Sequence, residues 1–190
     1  HQVVRRQRQM CIRDRAYSYD HLILATGSGS TYFGHEDWRT FAPPMKILEH
    51  AEEIRRRLLM AMEQAEQTPN PEARQFLQTV VIVGAGPSGC EMAGAVSELM
   101  RWALNNAFKQ LDPQKTRIVL VDPGDRVLRA MPEELSEAAL VALERDGIEF
   151  LPQGRVQTMR PGEVVISSPD GDVQVQAATV IWTAGVKPSH

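Results

Sequence analysis

Cysteine is nearly absent, with Cys11 and Cys90 the two in 190 residues. Two thiols so placed make neither a disulfide framework nor a metal site, and a reducing compartment is the default for such a chain. Long apolar runs are missing as well. No stretch approaches the ~18 apolar residues that a membrane-spanning helix needs, and no secretory segment is visible. His21, His35 and His50 have no metal spacing with any second ligand, so no metal is expected. Net basic charge is concentrated at the start of the sequence. Residues 1–15 carry five arginines against one aspartate, start at histidine and have no useful periodicity. The string looks like translated adapter sequence rather than a basic arm, so residues 1–15 are expected to be non-native or disordered, and no nucleic-acid partner is expected. Apolar content, at 43%, is ordinary for a globular core. The length suits one domain, or one domain and part of another.

The most informative motif lies in mid-chain. Four β-branched residues, Val80 to Val83, run into Gly84-Ala85-Gly86-Pro87-Ser88-Gly89, and a helical pattern follows. A buried strand, G-x-G-x-x-G and a helix in that order form a dinucleotide fingerprint. Gly84 makes the tight turn, Gly86 lets the backbone approach a pyrophosphate, and Gly89 lets helix and strand pack closely. The helix N-terminus offers free N–H groups and a partial positive charge to phosphates. Ala93, Val96, Met100, Ala103, Leu104 and Ala107 recur at helical spacing as its apolar stripe.

A second buried strand, Arg117 to Val121, ends at Asp122. An acid there hydrogen-bonds a ribose 2′-hydroxyl and repels a 2′-phosphate, which favours NADH over NADPH. The alternative is an ordinary turn residue before Pro123-Gly124. Asn105 to Lys115 reads as an insertion between helix and strand.

Around this unit the periodicity predicts a helix over 46–67, striped by Ile47, Ala51, Ile54, Leu58 and Met62, with Thr68-Pro69-Asn70-Pro71 as a domain boundary. Pro132-Glu133-Glu134-Leu135 opens another helix, with Leu135, Ala138, Ala139, Ala142 and Leu143 as its stripe and Gly147 at its end. Ile148 to Leu151 is a short strand, and residues 155–176 alternate as an antiparallel meander. Two segments echo each other: Leu22 to Ser28 and Val180 to Val186 each run an apolar strand into two small residues and a glycine. The second echo is expected to return to the dinucleotide sheet. The first is expected to close a similar unit whose own glycine loop lies upstream, so the chain reads as a fragment. The fold class is therefore α/β, a Rossmann-like domain over 71–190, preceded over 16–70 by the end of a second dinucleotide domain and a connecting helix.

Together these residues resemble the two-dinucleotide-domain flavoprotein oxidoreductases, and within them the type II (alternative) NADH:quinone oxidoreductases. The carriers are Tyr19 to Ser28, Pro44-Met45-Lys46, Gly84 through Gly94, Leu111-Asp112-Pro113, Pro132 to Ser136, and Trp182 to Val186. The resemblance implies FAD and NAD as cofactors, hydride passing from NADH to flavin, and two electrons passing on to a membrane quinone. It implies that Gly84, Gly86, Pro87, Ser88 and Gly89 cradle the NADH phosphates and that Asp122 holds the adenosine ribose. Ala25, Thr26 and Gly27 approach FAD, Gly185 and Val186 line the nicotinamide–flavin junction, and Glu91 has a proton role. For Glu91 the competing reading is an acid favoured by the helix dipole. For Cys90 small apolar filling is preferred to redox chemistry, and Trp38, Trp102 and Trp182 read as core or interface residues.

The resemblance also implies a peripheral enzyme on the cytoplasmic face of a membrane. Its contact with the membrane is through a C-terminal part outside this soluble piece, and a homodimer is compatible with it. The piece alone is expected to be inactive. Two other readings remain open: a disulfide or ferredoxin reductase, and a non-catalytic NADH-binding module.

Overall fold

The computed structural model describes residues 9–12 and 15–188. In chain order, β1 (Gln9–Ile12) and β2 (Arg15–Ser18) pair as an antiparallel ribbon. Of the tract expected to be non-native or disordered, residues 9–12 and 15 thus lie in regular structure, and residues 1–8, 13 and 14 lie outside the described residues. Next come β3 (Ser28–Ser30), a 3₁₀ turn over Glu36–Thr40, α1 (Leu48–Gln67) and α2 (Pro71–Leu77). The alternation β4 (Thr79–Val83), α3 (Pro87–Asn106), β5 (Arg117–Val121), α4 (Glu133–Arg145) and β6 (Ile148–Leu151) follows. The meander is β7 (Arg155–Arg160), β8 (Glu163–Ser168) and β9 (Gly171–Gln176), and the described chain closes with β10 (Thr179–Trp182) and β11 (Val186–Pro188).

Four strands make the central sheet, in the order β10-β4-β5-β6, and every pairing in it is parallel. Parallel strands are buried on both faces, which is why β4 is apolar from Val80 to Val83 instead of alternating. The pleat sends its residues to two cores. Val80 and Ile82 join Ile118, Leu120 and Ile181 against the helices, with Ile54, Leu58 and Met62 of α1 and Ala93, Val96 and Met100 of α3. Val81 and Val83 join Val119, Val121 and Val180 against the meander's Met159, Val164, Ile166 and Val175. The expected βαβαβ unit, the meander and the returning strand are all present. The Asn105–Lys115 insertion packs too: Leu111 is buried, and the Glu66 carboxylate of α1 accepts from the Lys109 and Gln110 amides at 2.9 Å.

Four expectations need correction. The first echo forms no strand: Ile23 is 88% and Leu24 75% exposed, and Leu22 to Ala25 has no ladder partner among the described residues. An apolar strand of this kind needs a sheet to pair with and layers to cover its faces. The α4 stripe is rotated, because Leu135 and Ala138 are exposed while Ser136, Ala139, Leu140 and Leu143 face inward. Ser136 is tolerated there because its hydroxyl donates to the Val127 carbonyl at 2.6 Å. The α1 stripe lacks Ile47, which is the N-cap residue and 53% exposed, whereas Ala51 is half-buried and Ile54, Leu58 and Met62 are buried. The α3 stripe stops at Leu104, because Ala107 is the exposed C-cap.

The Thr68–Pro71 break is itself structured. Asn70 caps α2, accepting from the Glu72 and Ala73 amides at 2.8 and 3.2 Å, and Pro71 takes the first helical position.

The segment after β3 covers the outer edge of β10. Trp182 and Pro44 form a parallel bridge, the Trp182 amide donates to the Pro43 carbonyl at 3.0 Å, and the Met45 amide donates to the Trp182 carbonyl at 3.2 Å. The Trp182 ring stacks on Tyr32 with centroids 4.8 Å apart, lies edge-on to Trp38, and donates its Nε1–H to the Thr31 carbonyl at 2.9 Å. Burial pushes the Tyr32 phenol up to about 12, so it stays a donor, to the Ala42 carbonyl at 2.7 Å. Trp38 and Trp182 are core residues as expected, whereas Trp102 is 63% exposed.

Candidate functional site

β4 sits between β10 on one side and β5 on the other, so the chain leaves its C-terminal end at the point where the strand order reverses. Ligands of open α/β sheets bind at such switch points. The glycine loop emerges there. Gly84 has φ +106°, the left-handed region, and a Cβ on it would lie 2.9 Å from the Ala184 nitrogen, so the turn and the close approach of β10's extension both require glycine. A Cβ on Gly89 would lie 1.7 Å from the Gly84 oxygen. The close packing at the third glycine is thus between the start of α3 and the first residue of the loop after β4.

Hydrogen bonds from three directions fix the loop. The Gly84 amide donates to the Val121 carbonyl at 2.8 Å. Asp122 accepts from the Ala85 amide through Oδ2 and from the Gly124 amide through Oδ1, both at 2.7 Å. The Leu128 amide donates to the Ala85 carbonyl at 2.8 Å. On the far side, Thr183 Oγ1 lies 2.8 Å from the Val83 carbonyl oxygen and 2.9 Å from that of Gly84. Asp122 is therefore more than a turn residue, since its carboxylate ties the end of β5 to the glycine loop.

Beyond these anchors the loop is open. Gly86, Pro87 and Ser88 are exposed. Gly86 is the N-cap of α3, with no side-chain cap and no acid in the first turn. Among the described residues, the N–H groups of Gly86 and Ser88 have no acceptor. A Cβ on Gly86 would meet nothing within 4 Å, so the chain's own packing does not demand glycine there.

Glu91 lies in the second turn of α3 and is exposed. The dipole's benefit is confined to the first turn, which weakens the purely electrostatic reading of this acid. Cys90 is half-buried, its Sγ 3.5 Å from the Ala85 carbonyl oxygen, and burial pushes its thiol pKa up, with Asp122 and Glu91 adding to the rise. A thiol so placed is a poor nucleophile and packs as filling.

The two echoes meet. β3 and β11 pair antiparallel, Ser30 opposite Val186 and Ser28 opposite Pro188, and the Thr31 amide donates to the Gly185 carbonyl at 3.4 Å. Gly185 has φ +69°, and a Cβ on it would lie 2.5 Å from the Phe33 ring. This ribbon brings Gly185 and Val186 beside the strand that follows Ala25, Thr26 and Gly27, all three of them exposed, with Gly27 at φ +77°. Sequence reasoning missed Thr183, although the repeat of a small hydroxyl-or-alanine pair before each echo glycine was the signal for it.

Other concavities lie elsewhere. A cavity of about 370 Å³ between Ser97, Arg101, Thr116, Arg145 and Gly147 opens at the N-terminal end of β5, away from the glycine loop. No cluster of metal-binding side chains occurs among the described residues, and none of their helices is long and apolar enough to cross a membrane.

The model of the pyridine nucleotide-disulphide oxidoreductase family matches residues 1–190. The type II NADH:quinone oxidoreductase Ndh of Mycobacterium tuberculosis is 40% identical over 173 residues, which make up 90% of this chain and 37% of that protein. The chain spans about a third of the length of the curated relatives it matches. Among solved structures, NDH2 of Plasmodium falciparum in complex with NADH has a TM-score of 0.80 at 20% identity, over 92% of this chain and 36% of that one. A ferredoxin reductase of Rhodopseudomonas palustris has a TM-score of 0.60 at 20% identity, over 93% of this chain and 37% of that one. At these identities both likenesses are of fold. Since the family model covers the whole chain, and its glycine loop stands at the switch point of a parallel sheet, the chain belongs to the pyridine nucleotide-disulphide oxidoreductase family.

Proposed function

We propose that this chain is the NADH-binding part of a type II NADH:quinone oxidoreductase, with residues 16–70 closing the FAD-binding part and connecting it to residues 71–190. The observation that carries the reading is the uncapped end of α3. Two exposed backbone N–H groups, at Gly86 and Ser88, and a loop wall with no side chain at Gly86 suit a dinucleotide's diphosphate. Gly84, Gly86, Pro87, Ser88 and Gly89 would line it. Asp122 keeps lone pairs for ribose hydroxyls beyond its two backbone partners, because each carboxylate oxygen accepts about two hydrogen bonds.

Bound NADH and FAD supply the redox chemistry, a hydride from the one to the other and two electrons onward to a quinone. The chain's residues bind and orient. Ala25, Thr26 and Gly27 would stand at the flavin's side, and Gly185 and Val186 at the junction of the two cofactors. Glu91, one turn into α3, would hold or move a proton beside them. A peripheral position on the cytoplasmic face of a membrane belongs to the same reading, and so does a homodimer. The 40% identity to the mycobacterial Ndh supports the quinone as acceptor over a ferredoxin.

The test begins with the chain alone. NADH is expected to bind at least ~10-fold more tightly than NADPH, about 1.4 kcal/mol, because the Asp122 carboxylate faces a 2′-phosphate. Equal affinities in a fluorescence titration would remove Asp122 from the ribose site. In the flavin-loaded enzyme, Glu91→Gln is expected to lower kcat by more than it weakens NADH binding. Equal kcat for variant and wild type would remove Glu91 from the mechanism.

A further inference from the structure

One peptide unit of the glycine loop is held at both ends. The Gly84 carbonyl accepts from the Thr183 hydroxyl at 2.9 Å, and the N–H of the same unit, on Ala85, donates to Asp122 at 2.7 Å. The Cα of Gly89 lies against the same carbonyl, as the 1.7 Å approach of an added Cβ shows. The hydroxyl has one proton and two acceptors in reach, the Val83 and Gly84 oxygens. Val83 does not need it, because its carbonyl already takes the Thr183 amide at 2.9 Å. Among the described residues, the Gly84 carbonyl has no other donor. A buried carbonyl without a donor would turn toward water, and rotating that plane would also swing the Ala85 N–H away from Asp122.

We propose that Thr183 is a positioning residue of the dinucleotide loop: its hydroxyl locks the Gly84–Ala85 peptide plane, and so aims the Gly86 and Ser88 amides at the ligand. The inference rests on the dinucleotide reading of the loop. It extends that site to the end of β10, 99 residues along the chain from Gly84. Thr183 is itself set from its other side, where Trp182 and Gly185 are both hydrogen-bonded to the Thr31 backbone. The turn that anchors the glycine loop is thus continuous with the ribbon of β3 and β11.

Thr183→Val keeps the size, the β-branch and the backbone N–H hydrogen bond to Val83, and replaces the hydroxyl with a methyl. Thr183→Ser keeps the hydroxyl. The chain and both variants are compared by amide hydrogen exchange without ligand and by NADH titration. The valine variant is expected to speed exchange of the Ala85 amide ~10-fold or more and to raise the Kd for NADH ~10-fold, the scale of one lost hydrogen bond to a buried carbonyl. Val119 and Leu120 amides in β5 are expected to stay protected, which separates a local release from global loosening. The serine variant is expected to restore both values to within ~2-fold. In the flavin-loaded enzyme, KM for NADH is expected to rise in Thr183→Val while kcat holds.

Unchanged exchange at Ala85, or unchanged NADH affinity despite faster exchange, would overturn the role of Thr183 and leave the dinucleotide reading intact. A wild-type chain that binds no NADH would overturn the dinucleotide reading and the positioning role together.

Discussion

Gly89→Ala is expected to destabilise the chain by about 3 kcal/mol and to abolish measurable NADH binding. The added Cβ would lie 1.7 Å from the Gly84 oxygen, 2.8 Å from the Gly84 carbonyl carbon and 2.9 Å from Thr183 Oγ1. Two of these neighbours are backbone, and the third is a hydroxyl fixed by the same carbonyl, so nothing flexible is available to give way. Overpacking of this kind costs about 1–3 kcal/mol, toward the upper end where backbone must move. The helix has to back away from the loop, and the Gly84–Ala85 peptide plane moves with it. Gly86→Ala is the control. Its Cβ meets nothing within 4 Å, so stability is expected to stay within about 1 kcal/mol of wild type while NADH affinity falls. Denaturant unfolding and a titration of each variant check both halves. A Gly89→Ala chain as stable as wild type would mean that α3 does not sit against the loop as described.

Trp182→Ala is expected to cost about 4 kcal/mol, the range for removing a buried large aromatic. Trp182 is 3% exposed and ends β10, with Tyr32 stacked on its ring and Phe33 and Trp38 around it. Its Nε1–H holds the Thr31 carbonyl, and its backbone pairs with Pro43 and Met45. Removing the ring therefore loosens the whole cover on the outer edge of β10 as well as leaving a cavity. Trp182→Phe keeps much of the packing and is expected to cost about 1–3 kcal/mol, through the Thr31 carbonyl left without its donor. Equilibrium unfolding followed by near-ultraviolet circular dichroism reads both. A loss under about 1 kcal/mol for the alanine variant would place the aromatic cluster outside the cooperative core.

The parts legible in the sequence were those governed by local pattern. Strand–glycines–helix, the apolar run of β5 into Asp122, and the alternation of β8 and β9 each follow from a period that neighbouring residues set. Less legible were features decided by residues far apart in the chain. Leu22 to Ala25 has the composition of a buried strand, yet such a segment becomes a buried strand only where a sheet offers it a partner, and among the described residues it has none. The true face of α4 passes through Ser136, which hydropathy marks as polar and which the Val127 carbonyl makes acceptable. The α2 helix was signalled locally by Asn70-Pro71, an N-cap followed by proline, though the same two residues also read as a break.

The site divides in the same way. The three glycines and Asp122 carry a spacing signature. Nothing in Thr183 announces a bond to a carbonyl 99 residues away, and the pairing of β3 with β11 joins two segments over 150 residues apart. The function of Asp122 toward its own loop was equally hidden. The sequence pattern points it at a ribose, while in the folded chain its first partners are the Ala85 and Gly124 amides.

The central claim is that a dinucleotide lies on the loop between β4 and α3. The measurement that tests it most directly is a map of backbone amide shifts on adding NADH to the isotope-labelled chain. The largest changes are expected at Gly84 to Cys90 and at Asp122, with smaller ones at Gly185 and Val186. Changes centred instead on the cavity around Arg101, Thr116 and Arg145, or no changes at saturating NADH, would contradict it.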